Sequence, residues 1–150
     1  MRLANVKDIN DLCELRVLEQ IDDWGKEFED KFDLFNSTKS FLKNHLNKDF
    51  YMFIEEADSK IIATCGLQII EYLPQCNDNG RQGFICNVFT RKEFRNKGIQ
   101  TNLMEKVLDF AKTQNLCELD LSTDNNVAIS IYKKLGFEHD DWAMKSSLDK

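Results

Sequence analysis

The sequence is short of the residues that break or staple a chain. It holds one proline and six glycines, and no Pro-, Ser- or Gly-rich stretch that would divide it into separate domains. No repeat is visible, so residues 1–150 read as a single domain, long enough to bury a proper core. The five cysteines (13, 65, 76, 86 and 117) show no C-x-x-C or Cys/His ligand spacing. That argues against zinc, implies no metal site, and points to free thiols in a reducing cytoplasm. No apolar run approaches the ~20 residues that span a bilayer. The opening MRLANVKDIND lacks the apolar centre of a secretory signal, so neither a membrane nor export is expected. Positive charge is in deficit: the net charge of −6 argues against a general nucleic-acid binder.

What is present is apolar patterning, with eleven phenylalanines suited to an aromatic core or pocket. RLANV fits a short first strand. Ile9, Leu12, Leu15 and Leu18 recur at helical spacing, with Asp8 placed to cap them. Ser37 is expected to cap a second helix whose inner side carries Phe41, Leu42, His45 and Leu46. FYMFIEEA, KIIATCGLQIIEYL and GFICNVFT read as three strands. The first two join through Asp58-Ser59, and the last two form a hairpin across the loop around Pro74. Ile99, Leu103, Val107, Phe110 and Ala111 form a helical stripe. CELDLS then alternates between two faces. Asp124 is placed to cap a further helix over Val127, Ala128, Ile131 and Leu135, with Gly136 at its C′ position. WAMKSSL fits a last strand. This order is α/β with a mixed sheet.

One stretch departs from the acidic average. In RKEFRNK, Arg91, Lys92, Arg95 and Lys97 outweigh Glu93 by +3, leaving −9 for the rest of the chain. The cations stand where a strand turns into a helix. A helix start offers unpaired N–H groups and about half a positive charge. Gly98 permits dihedrals barred to other residues and lets the backbone approach an anion. On these features alone, a phosphate cradle and a solvated basic turn weigh about equally. The stretch is neither a P-loop nor a G-x-G-x-x-G turn.

NVFTRKEFRNKGIQTNLM nevertheless resembles the acyl-CoA signature of the GNAT superfamily of N-acetyltransferases, [RQ]-x-x-G-x-[GA] between a strand and a helix. Its positions here run from Arg95 to Gln100. DNNVAISIYKKLGF resembles the family's later N-x-x-A-x-x-x-Y-x-x-x-G-F segment through Asn125, Ala128, Tyr132, Gly136 and Phe137. The resemblance implies a single-domain acyl-CoA N-acyltransferase (GNAT) fold, a mixed and mostly antiparallel sheet flanked by about four helices. It implies acetyl-CoA as co-substrate, held where two neighbouring parallel strands splay apart. Main-chain groups of Val88, Phe89 and Thr90 would bond the pantetheine arm. Arg95, Asn96, Lys97, Gly98, Ile99, Gln100 and Thr101 would take the pyrophosphate, and Asn125 would reach the coenzyme from the next helix. Tyr132 is the implied general acid, against the alternative of an amphipathic core tyrosine. Gln100 departs from the pattern, since the family has Gly or Ala there. Its side chain either crowds the pyrophosphate or turns away.

By the same resemblance the nucleophile is the amine of a small molecule or peptide, attacking directly, with the acceptor side formed by the two N-terminal helices. In IDDWGKEFEDKFDLF the carboxylates of Asp22, Asp23, Glu27, Glu29, Asp30 and Asp33 alternate with Trp24, Phe28, Phe32 and Phe35. That mixture suits a cationic amine, or simply a solvated acidic surface over core aromatics. The loop Gln75 to Gln82 is placed beside the site. For a base, Glu71 and Asp120 are the nearest carboxylates by placement, with a water chain as the alternative. An acyl-enzyme on Cys86 or Cys117 lacks a neighbouring histidine. Two further readings stand beside the enzyme: a non-catalytic acyl-CoA-binding sensor, and an adaptor domain that binds no coenzyme. A homodimer through an exposed strand edge is left open.

Overall fold

A computed structural model of the chain describes residues 1–25 and 31–139. Its elements are β1 (Arg2–Leu3), a 3-10 turn at Val6–Asp8, α1 (Ile9–Trp24), α2 (Lys31–His45), β2 (Phe50–Ala57), β3 (Lys60–Glu71), β4 (Arg81–Thr90), a second 3-10 turn at Lys92–Phe94, α3 (Ile99–Thr113), β5 (Glu118–Leu121) and α4 (Asn126–Lys134). The strands lie in sequence order in one sheet. All neighbours are antiparallel except β4 and β5, which run parallel across the α3 connection. This is the expected mixed sheet with four helices. The WAMKSSL strand lies outside the described residues.

Strand periodicity divides the core in two. Phe50, Met52 and Ile54 of β2 turn to one face and join Leu12, Leu15, Leu42 and Leu46 of α1 and α2. Phe53 turns to the other, where Ala63, Cys65 and Leu67 of β3 meet Leu103, Met104, Val107 and Ala111 of α3. With helices on both sides, β3 is buried almost throughout, which explains its unbroken apolar run. In β4 the pattern would fail without a bulge. Gly66 pairs with Cys86 but Thr64 pairs with Phe89, so Cys65 stands opposite two residues, Asn87 and Val88. Asn87 takes φ +51, a left-handed value that Asn tolerates better than most residues. The extra residue returns Val88 to the α3 side and Phe89 to the α1 side.

Three caps differ from expectation. Ser37 lies inside α2, not at its start. Its hydroxyl donates back to the carbonyls of Asp33 and Leu34 at 2.9 and 3.1 Å, the bond a serine makes within a helix. Asn125, not Asp124, caps α4: its Oδ1 accepts from the N–H groups of Val127 and Ala128 at 2.9 and 3.3 Å. Asp8 precedes α1 but makes no cap bond to it. Its carboxylate instead closes a capping box with Asn5 and accepts two bonds from the Arg2 guanidinium, at 2.7 and 2.8 Å. RLANV is correspondingly strand only at Arg2–Leu3, because Asn5 already opens the turn. At the other end of α4, Gly136 has φ +91, and the Phe137 N–H reaches the Tyr132 carbonyl at 3.0 Å, as the C′ reading required.

The Arg2 guanidinium, with help from the Asn5 N–H, holds the Asp8 carboxyl below its ordinary value of 3.8. The stability this adds is present above that unfolded value and is lost as pH falls through the lower folded one. Asp8→Asn should therefore cost about 1–2 kcal/mol at pH 7. Urea unfolding of both proteins at pH 7 and below pH 3.8 should show the gap closing in acid. An equal gap at both pH values would contradict the assignment.

Candidate functional site

β4 and β5 keep company only briefly. Their pairing runs from Gln82–Glu118 to Ile85–Leu121 and then stops. Cys86 to Thr90 have no β5 partner, so alternate main-chain groups along that edge face open space. A cleft of about 910 Å³ occupies the gap. Its walls are this half of β4, the start of α3, the turn after β5 and the inner side of α4. The cleft sits at the carboxyl ends of the two parallel strands, where open α/β sheets hold ligands.

Gly98 is the N-cap of α3, with φ +73, and a Cβ there would meet nothing within 4 Å. Among the described residues no side chain caps this helix. The N–H groups of Ile99, Gln100 and Thr101 find no acceptor among the described residues, and all three residues line the cleft. The Gln100 side chain turns away from them. Its Nε2 lies 2.6 Å from the Phe89 carbonyl and 3.0 Å from both the Thr64 carbonyl and the Thr90 hydroxyl, so it ties α3 to the sheet at the bulged strand. Arg95 donates to the Thr90 carbonyl at 2.9 Å and to Asp22 of α1 at 2.7 Å. Lys92 meets the other oxygen of Asp22 at 2.9 Å. These two cations hold the Asp22 carboxyl below its usual range.

On the opposite wall, Ala128 and Tyr132 lie one turn apart on α4 and both line the cleft. Tyr132 is 8% exposed, and its hydroxyl has no hydrogen-bond partner among the described residues. Burial, with a smaller push from Cys65, raises its pKa to about 12, so it stays protonated at neutral pH. Asn125 lines the cleft too, its Oδ1 spent on the cap. Cys86 also faces the cleft, but burial pushes its thiol up to about 11, so little thiolate forms near pH 7.

Comparison with known proteins decides the family. The sequence profile of the acetyltransferase (GNAT) family matches residues 9–137. The chain belongs to the acetyltransferase (GNAT) family. Its structure superposes with a TM-score of 0.86 on a crystal structure described as a predicted acetyltransferase with acetyl-CoA, from Clostridium acetobutylicum. Identity is 29%, over 98% of this chain and 94% of that one. It is 39% identical over 56 residues to an uncharacterized N-acetyltransferase of Methanocaldococcus jannaschii, a match covering 36% of this chain and 25% of the relative. It is 40% identical over 58 residues to N-alpha-acetyltransferase 30 of Schizosaccharomyces pombe, covering 37% and 39%. These curated relatives are thus matched over less than half of their own length.

Within the GNAT fold, the residues singled out from the sequence converge. Val88, Phe89, Thr90, Arg95, Asn96, Gly98, Ile99, Gln100, Thr101, Asn125 and Tyr132 all line the one cleft. Lys97 does not; its Nζ lies 5.0 Å from the Phe94 ring centre. Both carboxylates suggested as bases are misplaced. Glu71 pairs with Arg81 at the far end of the hairpin, and Asp120 is exposed outside the cleft. The Gln75–Gln82 loop belongs to that far end as well, because β4 starts there and reaches the cleft only at Ile85. Cys117 is exposed at the start of β5, likewise outside the cleft. Glu27, Phe28, Glu29 and Asp30 of the acidic segment fall outside the described residues. Sequence reasoning missed Glu19, whose carboxylate lines the cleft beside Asn87. The signal was its place on the apolar stripe, one turn after Leu15 and two after Leu12, where a buried face should have been apolar.

Removing the Gln100 amide strands three acceptors near the bulge. Gln100→Ala should lower stability by about 1–3 kcal/mol, read by urea unfolding. An unchanged midpoint would mean that these bonds do not hold α3 to the sheet.

Proposed function

We propose that the protein transfers the acetyl group of acetyl-CoA to the primary amine of a small molecule or peptide, as an enzyme of the cytoplasm. The observation that carries this reading is the row of unpartnered N–H groups from Ile99 to Thr101, opening on the cleft beside Arg95. The row fits a diphosphate. Its donors are consecutive on the cleft wall, the helix start adds about half a positive charge, and Gly98 leaves free the space a side chain would fill. Five free thiols suit a reducing compartment. The Gln100 side chain is engaged with the sheet and does not crowd the helix start, which removes one argument for a non-catalytic sensor.

Bound acetyl-CoA supplies a thioester: an electrophilic acetyl carbon with a thiol as leaving group. The chain's own groups do the rest. N–H groups on the unpaired edge of β4 are available to steady negative charge on an acyl oxygen. Tyr132, protonated across the working range, donates to the departing sulfur. With a pKa of about 12, it is a weaker acid than a thiol of ~8.5. Its hydrogen bond therefore does the work early, and the proton moves only as charge builds on sulfur. The incoming amine, with pKa near ~10, is about one part in a thousand neutral at pH 7 and must shed a proton first.

Release of free thiol from acetyl-CoA across a panel of amines tests the reaction; no release with any amine, despite coenzyme binding by calorimetry, would restore the sensor. Tyr132→Phe should lower kcat at least tenfold and leave coenzyme affinity within about twofold. The rate should climb with pH as the amine loses its proton, with no descending limb below pH 10 that Tyr132→Phe abolishes, because the hydroxyl keeps its proton up to about 12. Unchanged turnover in the variant would remove the acid role.

A further inference from the structure

A second cavity, of about 410 Å³, lies between α1, α2 and the face of β2. That size is in the range of small-ligand pockets. Its floor is apolar, with Leu12, Leu15, Phe41, Leu42, Phe50 and Met52 among its lining residues. Glu19 and Asn87 line this pocket and the larger cleft alike, so the two spaces meet at the bulge of β4. At that junction the Glu19 side chain is 12% exposed. Its Oε2 accepts from Arg16 at 2.8 Å and from Asn87 at 3.1 Å, while Oε1 has no donor among the described residues.

Resting on acetyl transfer as the reaction, we propose that the acceptor is a monoamine on an apolar body: the body fills the pocket between α1 and α2, and Glu19 receives the ammonium group at its mouth. Three observations favour this over a polyamine. Among the described residues Glu19 is the only carboxylate that lines the pocket, and Arg16 beside it would repel a second cation. Asp22, one turn on, is already neutralised by Lys92 and Arg95. Apart from Arg16, Glu19 and Asn87, the polar lining is the neutral hydroxyls of Ser37, Thr38 and Thr64, and those of Ser37 and Thr64 already donate to carbonyls, so no anion is left to pair with a distal ammonium.

The proton balance closes. The ammonium group gives one proton to Glu19, which passes it to solvent. The nitrogen lone pair forms the C–N bond as the C–S bond breaks. Of the two protons left on nitrogen, the amide keeps one; the other restores Tyr132 through solvent after its hydroxyl has protonated the sulfur. The groups that bear on the Glu19 charge are Arg16, Asp22 and Asp23 on its own helix and Cys86 on β4. The lining residues of α2 are all non-titratable.

The test compares 2-phenylethylamine and isopentylamine with spermidine and ethanolamine. It uses thiol release for kcat/KM and ligand-observed NMR for binding without coenzyme, in the native chain and in Thr38→Phe, which fills the pocket from a half-buried lining position on α2. The apolar amines should lead by at least tenfold in kcat/KM, and Thr38→Phe should abolish both that lead and their NMR signal. Spermidine or ethanolamine turned over equally well, or apolar amines indifferent to Thr38→Phe, would overturn the proposal and leave acetyl transfer standing. Apolar amines that bind in the pocket yet release no thiol would overturn acetyl transfer and leave the pocket assignment standing. Neither binding nor turnover would sink both. Glu19→Gln should lower kcat at least tenfold at pH 7, and the loss should shrink toward pH 10, where the amine is neutral without help. A loss independent of pH would reduce Glu19 to holding the bulge.

Discussion

Everything in the site depends on two parallel strands that diverge. β4 and β5 share four residue pairs and then separate, so the second half of β4 runs with an edge that β5 does not cover. Backbone groups left unpaired in an interior are costly, and a protein that keeps them has a ligand to satisfy them. The divergence is built in. The bulge at Asn87 shifts β4 by one residue and strengthens its local twist. Gln100 then fastens the start of α3 to the Phe89 and Thr64 carbonyls beyond that bulge. One side chain thereby holds the strand edge and the unpaired helix start on either side of a single gap.

Electrostatics adds a second layer. The chain is acidic overall, yet Arg95 and Lys92 gather at the cleft, where both are occupied by Asp22 from the end of α1. A diphosphate arriving at the head of α3 competes with that carboxylate for Arg95. Release of Asp22 would loosen the end of α1, the helix that also carries Glu19 and the wall of the apolar pocket. The proposed coenzyme and acceptor sites would thus share one helix, and the Glu19–Asn87 contact lies between them.

Much of this was legible in the sequence. The α3 stripe read correctly because one face of that helix is buried, which imposes a strict period, whereas Phe50–Ala57, buried on both faces, read as a strand through its short apolar and aromatic run. The cations around Gly98 left a phosphate cradle and a solvated turn equally weighted, and Tyr132 stood out only through the resemblance to the N-x-x-A-x-x-x-Y-x-x-x-G-F segment. What escaped were features set by tertiary contact. The bulge depends on a single asparagine whose φ no strand pattern reveals. The fate of the Gln100 side chain is decided by carbonyls eleven and thirty-six residues away in the chain. Ser37 looked like a cap because serine favours that role, but its hydroxyl found carbonyls inside an existing helix. Glu71 and Asp120 were expected near the site because strand order alone does not say at which end two strands diverge.

The central claim is that the N–H groups opening α3 hold the diphosphate of the coenzyme. Amide-resolved NMR during titration with coenzyme A addresses it directly. The account requires the Ile99, Gln100 and Thr101 amides to show the largest shifts, saturating together, and adenosine without phosphates to leave them unmoved. Binding that shifts amides elsewhere while these three stay in place would contradict it.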